Sequence, residues 1–278
     1  MIEERFRYKN LLPYAILLLL SSPLLVGYAW LLIATFSRRT YGLTPEGLTI
    51  QNWRFLWSFD NWRDSVWGVT FNTLLLAISL AIVVVVLSAL AGYALSRLDF
   101  TGRRSFMSLT LILHAFPSVT LLIAIYFVLR TLGLYNTLRG IILVKVALEL
   151  PLGIWLMKGF FDGVPWDIER AAMVDGASRF RMWWEIVLPL IRPGIAALAI
   201  FSFISGWNEF LIPYTFTLDR QQATLAVYLN QLVGDTRLVD YGLVATIGLF
   251  QLLPVLLFFL FTQRYLLSIY AGGVKGGS

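Results

Sequence analysis

The sequence predicts an all-α protein embedded in a membrane. Three observations carry the prediction. Of 278 residues, 58% are hydrophobic and only 14% are charged, whereas soluble domains run near half apolar and a quarter charged. The mean hydropathy is +0.75. Six apolar runs approach or exceed the roughly 20 residues that a helix needs to cross a hydrocarbon core about 30 Å thick. They occupy residues 11–36, 69–96, 105–129, 140–157, 194–215 and 241–261.

The first run holds 26 residues without a charge, roughly 39 Å of helix at about 1.5 Å per residue. Arg5, Arg7 and Lys9 precede it, as in a signal peptide, but the run is longer than a usual secretory apolar segment and lacks a small-residue cleavage site. It reads as a permanent span. The second run is almost purely aliphatic over residues 80–87, the third is interrupted by His114 and Pro117, the fourth carries Lys145, Glu149 and Pro151, and the fifth contains Asn208 and Glu209. Six spans put both termini on one side. With the termini inside, thirteen Lys and Arg lie inside and eight outside, so the positive-inside rule predicts cytoplasmic termini. The chain then divides into a tail, first span and outer amphipathic loop (1–68), a membrane core (69–264) with a cytoplasmic connection at 158–192, and a cytoplasmic tail (265–278).

Two connections stand out. The outer loop 37–68 holds four of the ten Trp. Asn52 is positioned to cap a short helix lying in the membrane interface. A carbohydrate-stacking platform is the second reading of the same aromatics. The connection 158–192 carries two helix signatures. Pro165 suits a first helical position, Asp167 and Glu169 complement the helix dipole, and Gly176 suits a left-handed stop. Ser178 suits the cap of a second helix, whose Phe180, Trp183, Trp184 and Val187 fall at helical spacing and predict one apolar face. The pair makes a compact knob on which Ala171 and Ala172 permit close approach by a partner. An interfacial hairpin would account for the amphipathicity alone.

Ionisable groups inside spans are functional candidates because a charge at mid-bilayer costs about 2.5–3.5 kcal/mol even on lenient scales. Lys145 and Glu149, four residues apart, can pair on one helix face, and either pairing or a solute pathway explains them. Asn208 and Glu209 suit a pore lining, a gate or an interhelical hydrogen bond. His114 reads as a packing histidine. There is no Cys and only one His, so multi-histidine zinc and thiolate sites are excluded. No G-x-x-x-x-G-K-[ST], G-x-S-x-G or H-E-x-x-H occurs. The chain predicts no enzyme, no resident cofactor or metal and no nucleic-acid partner.

The stretch Glu169-Arg170-Ala171-Ala172-Met173-Val174-Asp175-Gly176-Ala177, followed by Ile186-Val187-Leu188-Pro189, resembles the EAA loop of ABC-importer permease subunits. Asn72-Thr73-Leu74, Gly133-Leu134-Tyr135-Asn136-Thr137, Trp207-Asn208-Glu209-Phe210 and Ala271-Gly272-Gly273-Val274-Lys275-Gly276 resemble the maltose-type carbohydrate permeases, specifically their shorter six-span type. The similarity runs from the second span to the C-terminus. One departure is Arg170, where the family usually has a second acid.

The resemblance implies a type I ABC importer permease fold in a prokaryotic cytoplasmic (inner) membrane. It implies that Glu169, Arg170, Ala171, Ala172, Asp175 and Gly176 form a coupling helix that docks on a dimer of cytoplasmic ATPase subunits. Those partners would bind ATP and Mg. It further implies a second, different permease chain sharing the pore, with Lys145, Glu149, Asn208 and Glu209 as pore or gate candidates. An extracytoplasmic sugar-binding protein would be contacted by Gly234, Asp235 and Arg237 in the outer loop 218–240. Membrane lipid surrounds the assembly. The alternatives are an importer permease for a non-sugar solute and a self-contained secondary transporter; the latter would show matched interruptions in two halves, which this sequence lacks.

Overall fold

The computed structural model describes residues 11–41, 44–58, 65–234 and 239–273. In chain order it contains α1 (Leu11–Thr35), β1 (Ser37–Tyr41), β2 (Thr44–Leu48), α2 (Val66–Arg97), α3 (Arg103–Ala115), α4 (Leu122–Thr131), α5 (Leu138–Asp162), α6 (Trp166–Val174), α7 (Arg179–Met182), α8 (Leu188–Leu190), α9 (Arg192–Trp207), α10 (Leu211–Phe216), α11 (Leu225–Gly234) and α12 (Tyr241–Gly273). Two compact units emerge from the packing. One comprises the described residues of Met1–Phe59 with Leu229–Leu253, the other those of Asp60–Tyr228 with Pro254–Ser278.

In the first unit, α1 is apolar on every side and almost wholly exposed along its length. A helix with no polar face and no protein cover is one that lipid covers. After α1 the chain forms an antiparallel ribbon with Arg39 opposite Glu46, a departure from the all-helical expectation. Asn52 lies inside the 3-10 turn Gln51–Leu56, and Ile50 takes the cap position. The Asn52 amide instead donates to the Thr35 and Ser37 carbonyls, each at 3.0 Å, the first an orphan acceptor at the end of α1. Trp53 packs on Phe36 at 6.0 Å between centroids, and Phe55 meets Phe250 edge-on at 5.7 Å. The loop aromatics Trp53 and Phe55 are thus half-buried against other rings, while Trp57 is exposed.

In the second unit, α2, α5 and α9 pack together, and small residues let them approach. A Cβ added at Gly92 on α2 would lie 2.9 Å from both the Lys158 backbone nitrogen and Met157 Cβ on α5. One at Gly206 on α9 would lie 2.8 Å from the Ala77 Cα. These are the small-residue crossings that membrane helices use in place of a hydrophobic driving force. Gly92→Leu is expected to push α2 off α5 and cost about 1–3 kcal/mol, read as a lowered thermal midpoint in detergent. Gly159→Ala, whose Cβ would meet nothing within 4 Å, is expected to be neutral or slightly stabilising, because alanine outranks glycine in a helix interior.

Three helices are long and apolar enough to cross a membrane unbroken: Pro13–Thr35, Val66–Arg97 and Leu138–Asp162. Two bent helix pairs pass the same test of length and composition when each pair is taken together, as a broken span or a re-entrant loop. The predicted third span divides at Phe116–Pro117, where α3 and the segment Ser118–Thr131 meet at 96°, because proline lacks the N–H that a continuous helix needs there. The segment Arg179–Leu190 and α9 meet at 76°. The predicted fifth span also ends early: α9 stops at Trp207 and the chain re-enters helix at Leu211. The sixth predicted run lies in α12, whose described apolar part is Tyr241–Leu257. His114, expected to be packed, is exposed on α3.

Candidate functional site

The knob forms much as the local signals predict. Pro165 precedes α6, Gly176 takes φ of +80°, and the Gly176 and Ala177 amides close back on Met173 and Ala172 at 3.1 and 3.0 Å. That is a left-handed helix stop for which glycine carries no Cβ penalty. Ser178 caps α7 by accepting from the Arg181 amide at 3.3 Å. The second helix departs from expectation. Residues Trp183–Val187 form a π turn, which rotates everything beyond it relative to α-helical spacing. The single apolar face does not form. Met182 and Val187 are buried and Trp183 partly so, while Phe180 and Trp184 point outward.

The six residues assigned to docking divide between two faces. Arg170, Ala171, Asp175 and Gly176 are exposed. Arg170 makes a 3.6 Å contact with Asp167, and both side chains are so exposed that the pair contributes little. Ala172 is buried against this chain's own Phe161, Met182 and Val187. Glu169 is 1% exposed and faces α2. Its carboxylate accepts from Arg97 Nε at 2.5 Å and from the Tyr93 hydroxyl at 3.2 Å. Glu169 and Ala172 are thus inward-facing residues of the knob in this chain, three apart on one helix face.

Arg97 is the hub of this anchor. It also donates to the Val164 carbonyl at 2.7 Å and to the Ser96 hydroxyl at 3.2 Å, and it lies 4.7 Å from the Trp166 ring centre. Ser96 in turn donates to Asp162 at 2.6 Å, and Asp162 pairs with Lys158. The end of α2, the end of α5 and the start of α6 are therefore held by one network of charge-assisted hydrogen bonds. Sequence reasoning reads Arg97 as a topology charge and misses this role. The only local clue is a basic residue closing a long apolar helix, 72 residues from its partner.

The intramembrane charges converge. Lys145 Nζ lies 3.1 Å from Glu149 Oε1 and 2.7 Å from Glu209 Oε2. The expected pair is present, and Glu209 makes it a triad. The Ser205 hydroxyl donates to Glu149 at 2.5 Å, and Glu209 accepts from the Ile212 amide at 3.1 Å. Glu209 therefore satisfies an amide in the first turn of α10 while holding the lysine. The break in the fifth predicted span at residues 208–210 gives Glu209 that position. Asn208 closes α9 and stays exposed, outside the triad.

At the opposite end of α5 from the knob, the remaining motif residues meet one segment. Asn136, at φ of 57°, donates to Asp219 at 2.8 Å and accepts from the Leu218 and Asp219 amides at 2.7 and 3.2 Å. Asn72 donates to the Gln221 and Ala223 carbonyls at 2.8 and 3.0 Å, and Thr73 accepts from the Leu225 amide at 2.8 Å. The predicted loop 218–240 is partly helical: α11 begins at Leu225, and Gly234 is its last residue rather than the tip of a turn. Asp235 and Arg237 lie outside the described residues. No group of three or more metal-ligating side chains occurs among the described residues.

Comparison with known proteins places this arrangement. Residues 84–267 match the model of the binding-protein-dependent transport system inner membrane component. The chain is 33% identical over 272 residues to the diacetylchitobiose uptake system permease protein NgcG of Streptomyces coelicolor, covering 96% of this chain and 88% of the relative. It is 30% identical to the trehalose transport system permease protein SugB of Mycobacterium tuberculosis, covering 91% and 95%. It is 32% identical to the maltodextrin transport system permease protein MdxG of Bacillus subtilis, covering 74% of each. A chain in the crystal structure of a bacterial ABC transporter involved in the import of the acidic polysaccharide alginate shares the fold, with a TM-score of 0.79 at 19% identity over 94% of this chain and 99% of that one. With its anchored EAA knob and its helices broken where the family motifs fall, the chain belongs to the binding-protein-dependent transport system inner membrane components, the permease subunits of ABC importers.

Proposed function

We propose that this chain is the permease subunit of an ATP-driven sugar importer, lining half of a pore shared with a second, different permease. Its termini lie in the cytoplasm, where the positive-inside count puts them. The observation that carries the reading is the anchored knob. The exposed face of α6, with Arg170, Ala171 and the following Asp175, stands on a buried ion pair to α2. A dimer of ATPase subunits, binding ATP and Mg, docks on that face. Movement of the ATPases then turns α6, α2 and α5 as one rigid body and alternates access to the pore. A binding protein delivers the sugar from outside the cell membrane and is contacted by Gly234, Asp235 and Arg237. The choice of sugar as the solute class rests on the relatives that transport diacetylchitobiose, trehalose and maltodextrin.

The two alanines separate docking from folding. Ala171→Arg is expected to leave the thermal midpoint of the subunit within about 0.5 kcal/mol of wild type, as for ordinary surface changes, and to abolish ATPase co-purification. Ala172→Arg is expected to destabilise the chain itself by several kcal/mol, because the cation would be buried without a partner. Retained ATPase binding by Ala171→Arg would remove α6 as the docking element. The reading as a whole is tested by purifying the complex with its cognate binding protein and measuring ATP hydrolysis against a panel of oligosaccharides, amino acids and polyamines. Stimulation by a sugar is expected; stimulation by an amino acid or polyamine alone would overturn the solute class.

A further inference from the structure

Between the α2–α3 turn and the end of α5 lies a cavity of about 1010 Å³, lined in part by Asp99, Gly102, Arg103, Arg104, Ser105 and Lys158. It lies beside the Arg97–Glu169 anchor, whose network reaches it through Lys158. Three cations and one carboxylate line its mouth. Asp99 takes Arg103 at 2.9 Å, though its own side chain is 99% exposed. Asp162, which faces Lys158 from the next turn of α5, is already engaged by Lys158 and by the Ser96 hydroxyl. Arg104 has no ion pair among the described residues. The mouth therefore carries net positive charge and hydroxyl donors with one guanidinium uncommitted.

Directly beside it runs a second, mainly apolar groove of about 370 Å³ along α5, formed by Met107, Trp155, Leu156, Gly159 and Phe160 together with the Lys158–Asp162 pair. The two share Met107 and Lys158. Trp155 is half-exposed, and among the described residues no atom lies within 4 Å of where a Cβ on Gly159 would stand. A basic polar mouth that opens into an apolar groove has the chemistry of one molecule with an anionic head and a hydrocarbon tail. We infer that this cleft is a binding site for an anionic phospholipid of the cytoplasmic leaflet, with its phosphate at Arg103, Arg104 and Lys158 and an acyl chain between α3 and α5. Basic pockets between helices at the cytoplasmic surface have the charge and depth that anionic head groups require. The inference rests on the membrane orientation proposed above. The site would fasten α3 to α5 beside the anchor of the knob.

The test uses the assembled complex in nanodiscs of phosphatidylcholine with or without phosphatidylglycerol. Lipid retained after detergent extraction is read by native mass spectrometry. The Arg103→Gln/Arg104→Gln double variant is expected to lose phosphatidylglycerol retention about tenfold, whereas Arg130→Gln, at the other end of the molecule, retains it. Gly159→Leu projects into the groove from a position where a Cβ meets nothing within 4 Å. It is expected to lower retention as strongly while leaving stability in pure phosphatidylcholine at or above wild type. Equal retention by wild type and both variants would overturn the site. So would a stabilising shift reproduced by inorganic phosphate alone, because the groove would then play no part. Loss of ATPase co-purification with lipid retention unchanged would reassign the mouth to a protein partner. Binding-protein-stimulated ATP hydrolysis by the wild-type complex, measured in parallel, reports the transport reading separately from the lipid site.

Discussion

Replacing Lys145 by Ala is expected to be among the most damaging single changes in the chain, lowering stability by about 3–5 kcal/mol, the usual cost of leaving a buried ion unpaired. The reason is geometric. One ammonium sits between Glu149 at 3.1 Å and Glu209 at 2.7 Å, so its loss leaves two carboxylates facing a common vacancy in a region where hydration is scarce. The three single variants should not be equivalent. Glu149→Ala leaves the lysine its shorter contact, to Glu209, and frees only the Ser205 hydroxyl. Glu209→Ala removes that shorter contact and also the acceptor of the Ile212 amide at the start of α10. The expected order of damage is Lys145→Ala, then Glu209→Ala, then Glu149→Ala. The triple replacement Lys145→Met/Glu149→Gln/Glu209→Gln should recover much of the loss, because no charge is then left without a partner. Thermal unfolding of the subunit in detergent gives the four midpoints. Additive effects of the single changes would sink the triad, since contacting residues couple.

Arg97→Met is the second large effect. It leaves Glu169 buried at 1% exposure with only the Tyr93 hydroxyl, and it frees the Val164 carbonyl. A cost of about 3–5 kcal/mol is expected. The functional consequence should exceed the structural one, because this pair joins α6 to α2. Complexes that still assemble should hydrolyse ATP without the stimulation that loaded binding protein supplies. Arg97→Met/Glu169→Leu removes both charges. It is expected to regain stability relative to Arg97→Met, since a well-packed apolar pair often matches a buried ion pair, yet to remain poorly stimulated because the directional bonds are gone. Full stimulation in the double variant would mean that packing of Ala172, Met182 and Val187 carries the coupling alone. The readouts are thermal midpoint and stimulated ATP hydrolysis on the same preparations.

Much of this protein is written in local patterns. The apolar runs announce membrane helices because a span must satisfy its own backbone and present hydrocarbon to lipid, a requirement each stretch meets by itself. Pro165, Gly176 and Ser178 mark the ends of the knob helices for the same reason: caps and stops depend on a few neighbouring residues. The spacing of Lys145 and Glu149 discloses their pairing because four residues return to one helix face. What depends on distant chain segments had to await the tertiary structure. Nothing near Glu169 indicates whether it faces a partner or α2, since its fate is set by Arg97, 72 residues earlier. Nothing near Glu209 places it on Lys145, since that requires α9 to stop at Trp207 and α10 to begin at Leu211. The π turn at Trp183–Val187 and the 96° bend after α3 redirect faces that helical periodicity alone would assign otherwise. Local propensity thus determined which segments are helices and where they end, while the charges at both sites were assigned their partners only by which helices pack together, because a buried charge is stable only where another element brings its counterion.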